Sequence, residues 1–121
     1  MELRYTVIDP TKNITLLVTT PVPRDVQPRV AAELLRREKD AEQVGFVEGL
    51  AAGDPRLQMM GGEFCGNATM SMAAWLNRDL PIGESRALTL PVSGASAPVA
   101  CRVTRLDGCF IGTVAMPLPE R

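Results

Sequence analysis

The sequence predicts an α+β domain in which a curved, mostly antiparallel sheet or barrel wraps one buried helix, with a second helix outside. Three observations carry that expectation. Several short β-branched runs are separated by Gly and Pro. One stretch has a single apolar face at helical spacing, and another is apolar nearly all the way round. With 121 residues, the chain is expected to form one domain with one core.

Leu3 to Asp9 and Asn13 to Thr20 read as two strands joined across Pro10-Thr11-Lys12. Pro21 and Pro23 break that pattern. From Asp25 or Gln27 to about Lys39, residues Val26, Val30, Leu34 and Leu35 recur at helical spacing, Pro28 suits a first turn, and arginines gather near the end. Gln43 to Glu48 is a short strand, Ala51 to Pro55 a loop, and Arg56 to Met60 another strand. A glycine-rich turn, Gly61 to Asn67, leads into a helix from about Asn67 to Asn77. Ala68, Met70, Met72, Ala73, Ala74, Trp75 and Leu76 leave that helix almost no polar face, so it belongs inside the protein. The remainder reads as strands over Arg86 to Val92, Ala97 to Arg105 and Gly108 to Met116, with Asp107-Gly108 as a hairpin turn.

Composition removes whole classes of function. Apolar residues make up 45% and charged residues 22% of the chain, ordinary for a globular domain, and the net charge of −1 includes no basic stripe for nucleic acid. No apolar run approaches the roughly 20 residues that cross a bilayer. The first residues lack the layout of a signal peptide, and the expected location is the cytoplasm. There is no histidine, which excludes imidazole bases and histidine-ligated metals within these residues. Lys12 and Lys39 are the only lysines, and neither lies in a pocket-like segment, which argues against a pyridoxal phosphate Schiff base. Three cysteines without CxxC spacing argue against a zinc site or a disulfide framework. The expectation is therefore an enzyme or binding domain with no cofactor and no metal.

Cys65 is the candidate for chemistry. It stands immediately before a helix N-terminus, where unpaired N–H groups and the helix dipole favour negative charge on a sulfur. The amides of Gly66, Asn67 and Ala68 could hold a substrate carboxylate there, and glycine at position 66 admits a ligand close to the backbone. The alternative is a cysteine that merely packs as a small hydrophobe. Cys101 alternates with Val99 and Val103, as core residues do along a strand. With a two-residue turn at Asp107-Gly108, Cys101 falls opposite Val114, and its offset from Cys109 is on the order of 16 Å, beyond disulfide reach.

Glu63-Phe64-Cys65-Gly66-Asn67-Ala68-Thr69 resembles the cysteine-glycine-asparagine signature of the diaminopimelate epimerase family. Gly45-Phe46 resembles its "VGF" strand, Asn13 stands where the family places an early substrate-binding asparagine, and Leu90-Pro91-Val92-Ser93-Gly94 resembles the strand end after its buried helix. Within the family, Asn13-Ile14-Thr15, Gln43 to Glu48 and Glu63 to Ser71 look most like the histidine racemases that feed staphylopine-type metallophore synthesis. Met59-Met60-Gly61-Gly62 is shorter than the corresponding segment of diaminopimelate epimerase, which weighs against diaminopimelate as substrate. The resemblance implies a cofactor-independent amino-acid racemase or epimerase in which one cysteine removes the α-proton and a second reprotonates the opposite face. It implies Cys65 as the catalytic cysteine, Gly66 and Asn67 as backbone donors to the substrate, and Asn13 as a substrate contact. Glu48, where diaminopimelate epimerase has glutamine nearby, is expected to bind the substrate's amino group or a cationic side chain. Glu63 is a weaker candidate.

The same resemblance implies a two-domain enzyme, of which residues 1–121 are the N-terminal half. Neither Cys101 nor Cys109 lies in a second catalytic motif, and Met116-Pro117-Leu118-Pro119 resembles an interdomain linker. The second cysteine is therefore expected from a C-terminal domain, a separate subunit or another copy of the chain. The competing class is a non-catalytic module that binds a small carboxylate at the same helix. An isomerase of the phenazine-biosynthesis type shares the implied fold but uses other acid/base residues.

Overall fold

A computed structural model of the chain describes the backbone of residues 5–8 and the whole of residues 14–115. The elements run β1 (Tyr5–Ile8), β2 (Thr15–Val18), α1 (Gln27–Arg37), β3 (Gln43–Glu48), β4 (Arg56–Met59), α2 (Gly66–Leu76), β5 (Ser85–Leu90), β6 (Val99–Leu106) and β7 (Cys109–Val114). The α+β class and both helices agree with the sequence reading. No described helix is long and apolar enough to cross a membrane.

The strands form two small sheets, β1-β2-β3-β4 and β5-β6-β7, and not a closed barrel. Pairing is antiparallel except between β2 and β3, where α1 makes the crossover that a parallel pair requires. The sheets meet at a short parallel bridge in which Leu57 N–H donates to Pro91 O at 3.0 Å and Ser93 N–H donates to Leu57 O at 2.9 Å. Pro91 has no N–H for a continuing ladder, so β5 stops at Leu90 instead of running to Val92, and the bridge that follows is too short to merge the sheets.

Each face of the first sheet buries a different layer. On one side α1 packs Val30, Ala31 and Leu34 against Leu16, Val18, Val44 and Phe46. On the other, α2 lies between the two sheets, with Ala68, Met72 and Ala73 packed among Leu17, Val47, Leu57, Leu90, Val99 and Val103. No residue of α2 is fully exposed, as an all-apolar helix requires. Its close seat on β7 depends on Gly112, where a Cβ would stand 2.4 Å from the Met70 side chain. The C-terminal end of α2 is secured by buried Asn77, which donates to Ala73 O at 2.8 Å and accepts from Arg86 at 2.9 Å. At the last hairpin, Leu106 pairs with Cys109 and Cys101 with Val114, the register expected from a two-residue turn at Asp107-Gly108.

Candidate active site

Cys65 is the N-cap of α2. Its backbone is extended (φ −134°, ψ 112°), its carbonyl accepts from Thr69 N–H at 3.0 Å, and its sulfur accepts from Ala68 N–H at 3.5 Å. A cap of this kind satisfies one of the orphan amides of a first helical turn. Among the described residues, the next two amides, of Gly66 and Asn67, have no hydrogen-bond partner. A half-buried sulfur therefore sits beside two open backbone donors at the positive end of a helix, an arrangement suited to an anion.

The loop that delivers Cys65 is held from behind by the strand end after β5. The Ser93 hydroxyl accepts from Met59 N–H at 2.9 Å and donates to Glu63 O at 2.7 Å, tying β4 to the residues before the cysteine. Gly94 has φ +77°, and a Cβ there would stand 2.2 Å from Phe64 N. Only glycine combines that conformation with so close an approach. Glu63 itself is exposed at the rim.

The sulfur has a further partner that sequence reasoning did not single out. Cys65 Sγ–H donates to Gln43 Oε1 at 3.1 Å, and Gln43 Nε2 donates to Thr15 Oγ1 at 2.7 Å. Gln43 and Thr15 are register partners at the start of β3 and β2, and Thr15 is fully buried. The available signal was strand alternation: Gln43 shares its face with Gly45 and Val47, so a polar side chain points into the layer that houses α2.

The expected site residues divide. Cys65, Gly66 and Asn67 come together at the mouth of α2. Asn13 lies outside the described residues, as does the Met116-to-Arg121 exit. Glu48 is not brought to the cysteine. It ends β3, five residues from Gln43 and thus about 16 Å along the strand, and alternation turns it to the α1 face. There its carboxylate accepts from Arg24 at 2.8 and 2.9 Å, from Gln27 at 2.7 Å and from Arg56 at 3.2 Å. The Arg24 guanidinium, then the Gln27 amide and the charge of Arg56, hold the Glu48 carboxyl below the usual carboxylate range, against the opposing effect of burial. A carboxylate this fully engaged clamps the start of α1 to β3 and β4.

A cavity of about 770 Å³ opens beside that clamp, lined by Thr19, Pro21, Val22, Gln27, Phe46 and Glu48 among others. Cys65 is not among its lining residues, and Glu48 is the one carboxylate among them. The remaining cysteines stand apart as well. Cys101 is buried in the core, where burial pushes its thiol pKa up, and Cys109 is exposed on β7. A buried, apolar thiol resists ionisation and is a poor base.

Known proteins match this chain along nearly its whole length. A family model described as the histidine racemase CntK N-terminal domain covers residues 2–121. A histidine racemase of Fusobacterium nucleatum subsp. nucleatum (strain ATCC 23726 / VPI 4351) is 36% identical over 121 residues, spanning 95% of this chain and 44% of that protein. A histidine racemase of Staphylococcus aureus (strain Mu50 / ATCC 700699) is 31% identical over 123 residues, spanning 98% of this chain and 44% of the relative. The chain thus spans less than half the length of these relatives. A cysteine-capped helix with open first-turn amides, on a chain matched from end to end by one domain model, leads to one assignment: the chain belongs to the histidine racemase N-terminal domain family.

Proposed function

We propose that this chain is one half of a cofactor-independent amino-acid racemase acting on histidine, and that Cys65 is one of its two acid/base groups. The observation that carries the reading is the placement of the Cys65 sulfur at the α2 N-terminus beside the open Gly66 and Asn67 amides. Histidine as substrate rests on the names of the relatives. With the reading goes a diaminopimelate epimerase-like fold, in which a second domain faces this one across the substrate.

In the forward step the Cys65 thiolate takes the α-proton. An S–H bond forms as the Cα–H bond breaks, and the electron pair remains on Cα, delocalised into the carboxylate. The Gly66 and Asn67 amides stabilise the charge that develops on the carboxylate oxygens, as an oxyanion hole does, and Asn13 contacts the substrate. A thiol from a C-terminal domain, a separate subunit or a second copy then delivers a proton to the opposite face of Cα. In the reverse direction Cys65 is the acid. The two-base scheme asks each cysteine to alternate between thiolate and thiol.

The test is exchange of the histidine α-proton in D2O, followed by proton NMR with reduced protein, with and without a C-terminal domain of the same family. Loss of the signal that requires intact Cys65 is the expected result. Exchange that survives Cys65→Ser, or no exchange even with the C-terminal domain present, contradicts the proposal. Carboxylate binding without exchange points instead to a binding module.

A further inference from the structure

The hydrogen bonds of Gln43 raise a question about the cysteine they hold. The sulfur has two polar partners, the Ala68 amide and the Gln43 side chain, and these differ in kind. The amide can only donate. The glutamine presents its oxygen, so in this arrangement the thiol proton is turned onto Gln43. A thiolate has no proton to give and needs donors. Gln43 carries one on the same planar group, and a half-turn about its last torsion exchanges Nε2 for Oε1 in nearly the same place. At its other end Gln43 Nε2 donates to the Thr15 hydroxyl at 2.7 Å, and a hydroxyl is chemically both a donor and an acceptor.

We propose that Gln43 is the positioning residue of Cys65, and that its side-chain amide turns over with the charge of the sulfur: oxygen towards the thiol, nitrogen towards the thiolate. In the first orientation the proton is held on Gln43. In the second, Gln43 Nε2 and Ala68 N–H both donate to the thiolate, which leaves a sulfur lone pair free to take the substrate's proton. Apart from the proton of Cys65 itself, no proton is gained or lost in the turn, because the amide only exchanges ends. A fixed carboxylate in this place would favour the thiol alone, and a fixed cation the thiolate alone. A residue that must serve as acid in one direction and base in the other is better matched by a neutral group with both functions. The inference rests on the proposed acid/base role of Cys65 for its purpose, but its test needs no turnover.

The side-chain amide of Gln43 is followed by nitrogen-15 NMR in the unaltered chain as pH is raised. In parallel, Cys65 alkylation by iodoacetamide is resolved from that of Cys109 by peptide mass spectrometry. The expected result is that the Gln43 side-chain resonances move with the same midpoint as Cys65 alkylation, and that Cys65→Ser abolishes the movement. In Gln43→Glu, an acceptor only once ionised, the Cys65 profile moves to higher pH by about one unit, roughly tenfold less thiolate at a given pH. In Gln43→Met, which keeps the length and loses both functions, it moves in the same direction by less. Exposed Cys109 is unmoved in both. Gln43 resonances that stay still while Cys65 titrates overturn the proposal, whether or not the variants fold. Folded variants whose Cys65 profiles superpose on that of the parent chain do so as well. Loss of α-proton exchange together with intact coupling would instead contradict the proposed racemase reading and leave the Gln43 turnover standing.

Discussion

Ser93 and Gly94 do as much for the candidate site as the cysteine's own neighbours, because they fix the loop from which Cys65 projects. Ser93→Ala leaves Met59 N–H and Glu63 C=O without the hydroxyl that joins them, a loss of about 1–3 kcal/mol for buried groups left unpaired. Gly94→Ala meets both the positive φ and a backbone contact at 2.2 Å. It should cost at least about 1–3 kcal/mol from the conformation alone. Urea unfolding midpoints check both, and a change outside these ranges for Ser93 would mean the loop is held elsewhere. Glu48 gives a prediction in pH. Its carboxyl is held below its ordinary value in the folded chain, so it contributes stability above the unfolded value of about 4.3, and that contribution is lost as pH falls through the lower folded value. Glu48→Gln should therefore flatten the acid limb of a stability-versus-pH curve while leaving α-proton exchange intact. A variant that loses exchange without losing stability would return Glu48 to the substrate site. At this scale the sequence was legible where a motif spoke: Cys65 stands immediately before a helix N-terminus, as the N-cap of α2. It was silent on Gln43, whose partner is twenty-two residues away in sequence, because no local pattern encodes a contact made across a sheet. It did not foresee the Arg24, Gln27 and Arg56 partners of Glu48, because they come from α1 and its approach and from β4, and no pattern within β3 names them.

At the level of elements, α2 carries the argument. A helix with mixed small and apolar residues on every side can be stable only between two layers, and it lies between the sheets with Met72 fully buried. Met72→Ala removes a large side chain from that layer and should cost about 2–5 kcal/mol, read as a shift of the unfolding midpoint. A cost under about 1 kcal/mol would mean that α2 is not central to the core. Because Cys65 is the cap of the same helix, disturbing α2 packing should also change Cys65 alkylation more than that of Cys109. Both helices were readable from periodicity and turn residues, α1 within two residues of either end. The strand ends were less so: β5 stops at Leu90 because a proline that reads as part of an apolar run cannot donate to the ladder.

For the molecule as a whole, the barrel expected from the strand count is resolved, among the described residues, into two sheets joined at Leu57, Pro91 and Ser93. Closure is a property of strand register and edge pairing across the chain, which alternation within each strand does not specify. The same scale sets the limits of the chemistry. The chain spans about 44% of its relatives' length, Cys101 is buried and Cys109 is exposed on β7, and the proposed two-base reading places its second acid/base group in a further domain or copy. The decisive measurement is where deuterium goes in the first turnovers, when the chain, assembled with a C-terminal domain of the same family, is given L-histidine in D2O. Two cysteines on opposite faces predict that the D-histidine formed carries deuterium at Cα while recovered L-histidine keeps its proton, and that Cys65→Ser stops both reaction and labelling. Deuterium entering recovered substrate as fast as product, or racemisation unchanged by Cys65→Ser, would show that Cys65 is not one of two opposed bases.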